Sequence, residues 1–282
     1  MLKRKSSRDR FLKITVHTIL ILGAITMLFP FFWMVSTSFK TQSEISENTT
    51  ALFPHAIHFK NYVDAWKTSA SSGFGRYFIN TIFVAVTTTI GQLFLSSLAA
   101  YAFAFFSFKY KEKIFLILLG TMMIPQQALL VPDYIILYRL GWLDTYAALI
   151  IPWICSAFSI FLMRQFFRGI PKELFEAATI DGCTKLGFYF RILLPLSIPV
   201  MLTSGMFTFL GSWNSFIWPL IVTNSPKLRV IQVGLSNFAQ AEGTQWGLLM
   251  AASTFCTVPL IIMYFFVQKR FIQGIATSGM KE

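Results

Sequence analysis

Charge is what this sequence has least of. Asp, Glu, Lys and Arg make up 13% of its 282 residues, against about 25% in a soluble domain. None of them lies inside the long apolar runs. Ion-driven transporters and voltage sensors use ionisable groups at membrane depth, so their absence weighs against both classes. Cysteine is scarce too: Cys155, Cys183 and Cys256 stand far apart, with no Cys-x-x-Cys or Cys/His spacing. That pattern offers neither a zinc site nor a disulfide framework, and the three are expected to be small apolar fillers. His17, His55 and His58 stand apart from plausible metal ligands. No Gly-x-x-x-x-Gly-Lys-Ser/Thr phosphate loop occurs, so the chain is not an ATPase by that route. The two halves show no repeat of the kind many secondary transporters carry.

What the sequence has instead is apolar bulk: 55% hydrophobic residues, 31 of them Phe, and a mean hydropathy of +0.61. A membrane-spanning helix needs roughly 20 mostly apolar residues. Six candidate spans meet that, at about 14–39, 77–106, 114–131, 146–163, 196–222 and 246–267. The expected fold is all-α, a polytopic integral membrane protein with six transmembrane helices. Pro30, Pro125, Pro152, Pro219 and Pro259 fall inside the spans, where proline kinks or interrupts a helix. The basic head followed by an apolar run resembles a signal peptide, but the run is too long and Phe29 to Val35 offers no small-x-small cleavage site. The first span is therefore expected to stay as an anchor.

Charge then orients the spans. Of the 24 Lys and Arg, 17 fall in the N-terminal head, the loop at 109–113, the polar stretch at 164–191 and the C-terminal end, and 7 fall in the alternate loops. Basic loops stay cytoplasmic, which puts both termini and the polar stretch in the cytoplasm. The expected organisation is a basic tail (1–13), a first transmembrane helix (14–39), an extracytoplasmic loop (40–76), a transmembrane core (77–270) containing a cytoplasmic loop (164–195), and a C-terminal tail (271–282). The net charge of +12 follows from this topology. Nucleic-acid binding is disfavoured, because the basic residues are scattered with no soluble domain to present them.

The polar stretch carries a short helix with its own boundaries. Pro171 suits a first helical turn. Glu173 and Glu176 sit near the positive end of the helix dipole, and Gly182 supplies the left-handed position that ends a helix. Leu174, Ala177 and Ala178 read as a face of mostly small residues that lets another backbone approach. A second helix from about Thr184 returns toward the membrane through Phe188, Ile192 and Pro195. An amphipathic helix lying on lipid is the alternative, but Ala177-Ala178 anchors poorly in lipid and packs well. A membrane protein with no nucleotide site and no buried ions, yet with a delimited cytoplasmic helix, suggests that another subunit delivers the energy.

These residues also carry a resemblance. Glu176-Ala177-Ala178-x-x-Asp181-Gly182, followed by Phe188, Ile192 and Leu194-Pro195, resembles the signature loop of importer-type ABC transporter permeases. Cys183 departs from it, standing where that family usually has alanine. The segments Phe29 to Lys40, Asn61-Tyr62, Tyr77-x-x-Asn80-Thr81, Gly211-Ser-Trp-Asn214 with Trp218-Pro219, and Gln268 to Ile275 are similar to carbohydrate permeases of the maltose G subunit class, and the match covers nearly the whole chain. The resemblance implies a coupling helix, with Glu176, Ala177, Ala178, Asp181 and Gly182 seated in a groove of a cytoplasmic ATPase dimer. ATP-Mg would be bound by that ATPase and no cofactor by this chain. It also implies a second, homologous permease subunit, an extracytoplasmic solute-binding protein, and a C-terminal tail that can reach toward the ATPase.

For the cargo path, aromatic faces and neutral hydrogen-bonding groups suit a sugar. The candidates are Asn80, Gln92, Gln126, Trp153, Trp213, Asn214 and Trp218, with Thr87 to Thr89 and Gln127 beside them. Polar residues in membranes also join helices to one another, and Trp favours the interface. The loop holding Asn224, Ser225 and Pro226 is the candidate contact for the binding protein. Import of a sugar or oligosaccharide is the main expectation. The alternatives are a glycerol-phosphate-type or polyol cargo on the same machine, an ion-coupled secondary transporter, and a non-transport scaffold.

Overall fold

The computed structural model describes residues 7–67, 73–239 and 243–278. Lys3, Arg4 and Lys5 of the basic head and Lys281 of the tail lie outside them. Among the described residues there is no strand, and the chain divides into two compact units, Met1–Thr68 with Leu235–Thr257, and Ser69–Gly234 with Val258–Glu282.

The first unit holds α1 (Ser7–Ser38), α2 (Gln42–Glu47) and α3 (Lys60–Lys67). Most of α1 is apolar and exposed on every side, the pattern of a helix that faces lipid rather than a protein core. The short elements after it are held by hydrogen bonds. Thr41 caps α2 by accepting from the Glu44 N–H at 3.3 Å, and the Asn61 amide donates to the carbonyls of Ser38 and Lys40 at 2.8 and 2.7 Å. Lys40 is buried, donates to the Ala51 carbonyl and lies over the Trp33 ring.

The second unit begins with α4 (Phe74–Phe105), α5 (Lys111–Thr121) and α6 (Gln126–Arg139), and continues with α7 (Tyr146–Ile150), α8 (Ala157–Arg168) and α9 (Lys172–Ile180). Then come α10 (Lys185–Phe188), which runs through a π-helical turn (Tyr189–Leu193) into α11 (Leu194–Leu196), and α12 (Ile198–Trp213), α13 (Ile217–Val222) and α14 (Ile231–Ser236). The last helix, α15 (Trp246–Ser278), starts in the first unit and ends in the second. The core of the second unit sits where α4 meets α8 and α12, and small polar groups mark the contact. Gln92 on α4 donates to Ser159 on α8 and Thr208 on α12 at 2.7 and 2.5 Å, and Ser204 donates to Ser159 at 2.9 Å. With no water in a bilayer core, such groups must satisfy one another.

Three helical segments, Phe11–Ser38, Phe74–Phe105 and Trp246–Phe266, are long and apolar enough to cross a membrane, and three more exist as bent pairs. The bends are 97° between Lys111–Thr121 and Gln126–Arg139, 40° between Tyr146–Trp153 and Ala157–Arg168, and 78° between Lys185–Leu196 and Ile198–Trp213. This sharpens the expected spans. The run at 114–131 is not one straight helix; it breaks before Pro125, which caps α6. The run at 196–222 ends its helix at Trp213, with α13 separate, and its bent partner comes from the preceding polar stretch. Proline lies at or within a few residues of each break: Pro125 caps α6, Pro152 lies in the single 3-10 turn before the second bend, and Pro199 lies in the first turn of α12, positions where a missing N–H and a fixed φ are tolerated. Pro30 and Pro259 lie inside uninterrupted helices. The expected tail at 271–282 is helical through Ser278.

Candidate functional site

Two places in the second unit carry chemistry, and the exposed helix α9 is the first. Its start is capped by Pro171, in an extended conformation with no side-chain cap, so Pro171 stands just before the helix rather than within its first turn. Its end is a Schellman motif: the Gly182 N–H donates to the Thr179 carbonyl at 3.1 Å and the Cys183 N–H to the Ala178 carbonyl at 2.8 Å. Gly182 has φ +79°, the left-handed region that glycine enters without penalty. Thr184 then caps α10 by accepting from the Gly187 N–H at 3.0 Å.

The two faces of α9 differ. Phe175 and Ala178 turn inward. The Phe175 ring meets Phe188 edge-on at 5.0 Å and Phe105 at 5.6 Å, and Ala178 is buried in the same cluster as Phe167 and Tyr189. Ala178 is therefore part of the anchor and not of an outward small-residue face. Glu176, Ala177 and Asp181 are exposed, and Ile180 is 87% exposed. The cluster fastens α9 and α10 to the C-terminal part of α4. The Tyr101 hydroxyl donates to the Lys185 carbonyl at 3.0 Å, and Ser97 and Tyr189 share a hydrogen bond at 2.6 Å. Sequence reasoning missed this aromatic block, because Phe175, Phe188, Tyr101 and Tyr189 look like any apolar filler until their contacts are seen. Nearby, Arg164 of α8 is almost fully buried. It binds both carboxylate oxygens of Glu112 at 2.7 and 2.8 Å, and lies over the Phe115 ring.

The second place is a partly open cavity of about 270 Å³. Of the seven cargo-path candidates, the structure brings Gln92, Gln126, Trp153 and Trp218 to its wall. Gln126 arrives there as the first residue of α6, just past the 97° bend. Trp153 and Trp218 meet edge-to-face at 5.6 Å, and the Trp218 indole N–H donates to the Ala148 carbonyl at 2.9 Å. Sequence reasoning passed over Ser159 and Thr208, which face the cavity through the Gln92 network; hydroxyls this common carry no local signal.

The other three candidates lie elsewhere. Asn80 is buried and fully engaged: its amide donates to the carbonyls of Lys227 and Arg229 at 2.8 and 2.9 Å, and its oxygen accepts from Tyr146 at 2.8 Å. It joins α4 to a loop. Trp213 is buried against Phe78 and Phe209. Asn214 caps α12 and donates back to the Leu210 carbonyl at 3.0 Å.

The loop of Asn224, Ser225 and Pro226 is clamped. Asp144 accepts from the backbone N–H of Asn224 and of Ser225, each at 2.9 Å, and from the Ser225 hydroxyl. Burial works to raise the Asp144 carboxyl, but these three donors outweigh it and hold it below the usual carboxylate value. On the other side Thr81 accepts from the Ile231 N–H at 2.8 Å. Asn224 and Lys227 remain exposed, while Ser225 and Pro226 are half-buried.

Long apolar helices broken at prolines, a neutral cavity among them and an anchored helix with a free polar face together define a membrane transport subunit. The chain belongs to the family of binding-protein-dependent transport system inner membrane components, whose pattern matches residues 92–277. It is a permease subunit of an ABC importer. It is 40% identical to the probable ABC transporter permease protein YurM of Bacillus subtilis, over 95% of this chain and 88% of that one. It is 32% identical to the arabinooligosaccharides transport system permease protein AraQ of the same organism, over 99% of both. Its fold matches a chain of a bacterial ABC transporter that imports the acidic polysaccharide alginate, with a TM-score of 0.83 and 25% identity over 94% of this chain and 98% of that one.

Proposed function

We propose that this chain forms, with a second homologous permease, the ATP-driven path by which a sugar or oligosaccharide crosses the membrane. A cytoplasmic ATPase dimer binds ATP-Mg and docks on α9, and an extracytoplasmic binding protein delivers the solute to loops that include Asn224 and Lys227. Both termini lie in the cytoplasm, as the basic residues require. The observation that carries this reading is the two-sidedness of α9. Its inner face is locked to α4 through Phe175 and Phe188, while Glu176, Ala177, Ile180 and Asp181 stay free for a partner.

ATP binding in the partner moves α9, and the aromatic block passes that movement to α4 and α8. This biases the path between inward- and outward-facing states, which the ATP-bound ATPase and the loaded binding protein must contact differently. The chain performs no chemistry itself; hydrolysis belongs to the partner.

The test is reconstitution of the complete transporter in vesicles. The double variant Glu176→Lys/Gly182→Val reverses a charge on the free face and places a side chain where φ is +79°. ATP-driven uptake should be lost and the ATPase should dissociate. Retained uptake with normal assembly would end the coupling reading.

A further inference from the structure

Arg164 and Glu112 form the one ion pair among the described residues, and its two halves are unlike: the Arg164 side chain is 4% exposed and the Glu112 side chain 66%. A guanidinium that deep needs an acid and further partners for its remaining protons. Its Nη2 donates to both Glu112 carboxylate oxygens at 2.7 and 2.8 Å. Its Nε donates to the Phe103 carbonyl at 3.4 Å, and its central carbon lies 3.8 Å from the centre of the Phe115 ring. These groups come from three helices. Phe103 is in the last turn of α4, where carbonyls lack intrahelical donors and the helix dipole is negative. Glu112 is in the first turn of α5, where an acid is favoured. Arg164 is on α8, the helix that leads into α9. Beside Glu112, Lys111 donates to the Phe106 carbonyl at 2.9 Å, at the end of α4. Phe115 extends the contact, lying 5.4 Å from Phe103 and stacked at 6.4 Å on Phe161 of α8.

At its other end α5 stops at Thr121, the chain turns through 97°, and α6 begins with Gln126 on the cavity wall. A helix of 11 residues moves as a rod about 16 Å long. The aromatic cluster beneath α9 joins it to α4 and α8 but contains no residue of α5 or α6 among those described. Stability alone does not call for a buried ion pair, because apolar groups of similar volume commonly serve as well. We infer that Arg164 and Glu112 are positioning residues for transport: their ion pair is the joint through which movement of α9 and α8 reaches α5, the bend and Gln126. This rests on the importer reading and deepens it. Spatial order alone does not establish coupling, so the joint has to be broken and its far side observed.

The experiment is hydrogen exchange on the complete transporter with its binding protein, with and without a non-hydrolysable ATP analogue and magnesium. In the native complex the analogue should change exchange both at α9 and at the bend, residues 122–127. Glu112→Ala removes a mostly exposed carboxylate. It should abolish the response at 122–127 while the response at α9 persists. It also leaves the Arg164 charge buried without an acid, so thermal unfolding should move to lower temperature. Arg164→Met/Glu112→Ala removes that charge as well. Its unfolding temperature should return close to the native one, and the response at 122–127 should stay lost. A native-like response at 122–127 in Glu112→Ala overturns the joint. Recovery of both stability and response in the double variant also overturns it, because the pair would then serve the fold alone. A native complex in which α9 responds and 122–127 does not overturns the joint and leaves the importer reading standing. If neither segment responds, the coupling reading fails and the joint fails with it.

Discussion

Two connecting segments of the second unit, 169–184 and 223–231, are held in opposite ways. The first is anchored by side chains: Phe175 and Ala178 sink into an aromatic cluster, while its backbone ends are closed by its own caps at Pro171, Gly182 and Thr184. The second is anchored by its backbone: Asp144, Asn80 and Thr81 bind its N–H and carbonyl groups directly. A packed helix can be pushed as a unit and transmit the push, because close-packed side chains leave no slack. A loop nailed at successive backbone groups is instead fixed in shape and presents a preformed surface. The contrast matches the parts proposed for them, a lever on one segment and a receiving surface on the other.

The comparison can be broken most sharply at the cluster. Phe188→Ala should lower stability by about 3–5 kcal/mol, as for other buried aromatic truncations, and uncouple ATP hydrolysis from uptake while leaving the 223–231 loop protected. Thermal unfolding of the purified complex and hydrogen exchange would show both. Asn80→Leu should do the reverse. It removes the amide that holds the carbonyls of Lys227 and Arg229 and accepts from the Tyr146 hydroxyl, at about 1–3 kcal/mol, and should raise hydrogen exchange in the loop without touching α9.

Asp144→Ala should follow at about 1–2 kcal/mol, limited by the partial exposure of the carboxylate. The same contact predicts a pH window. The folded carboxyl titrates below its unfolded value of roughly 3.9, so the clamp is fully present above that value and is lost as pH falls through the lower, folded one. Loop protection should therefore stay flat from neutrality to about pH 5 and decline only below the unfolded value. The smallest effect on stability is expected at Ile180. Because that side chain is 87% exposed, Ile180→Ser should change stability by no more than about 0.5 kcal/mol but reduce recovery of the ATPase with the complex. An unfolding shift without loss of the ATPase would place Ile180 in the core of the comparison instead of on its free face.

Much of the α9 segment was legible in the sequence. Its caps are local: a proline before the helix and a glycine after it act within a few residues, so Gly182 is found in the left-handed conformation its place in the pattern required. Ala178 was misread as outward because Leu174, Ala177 and Ala178 form a face only if the helix is rotated in one particular way. What set that rotation was Phe175 meeting Phe188, a contact between helices. The cavity was half legible. Gln92, Gln126, Trp153 and Trp218 reach it, whereas Asn80, equally polar and equally apt by composition, is consumed by Lys227 and Arg229 nearly 150 residues away.

By itself the sequence determined the class of solvent, the number of apolar runs, the short polar helix and its end, because these depend on composition and on neighbours within a turn or two. The tertiary structure alone decided which way each helix faces and which polar groups pair across helices. Those outcomes depend on pairings between residues far apart in the chain, such as Gln92 with Ser159 and Thr208. In a bilayer, where no water competes for polar groups, such pairings hold α4, α8 and α12 to one another, and no stretch of sequence a turn or two long contains them.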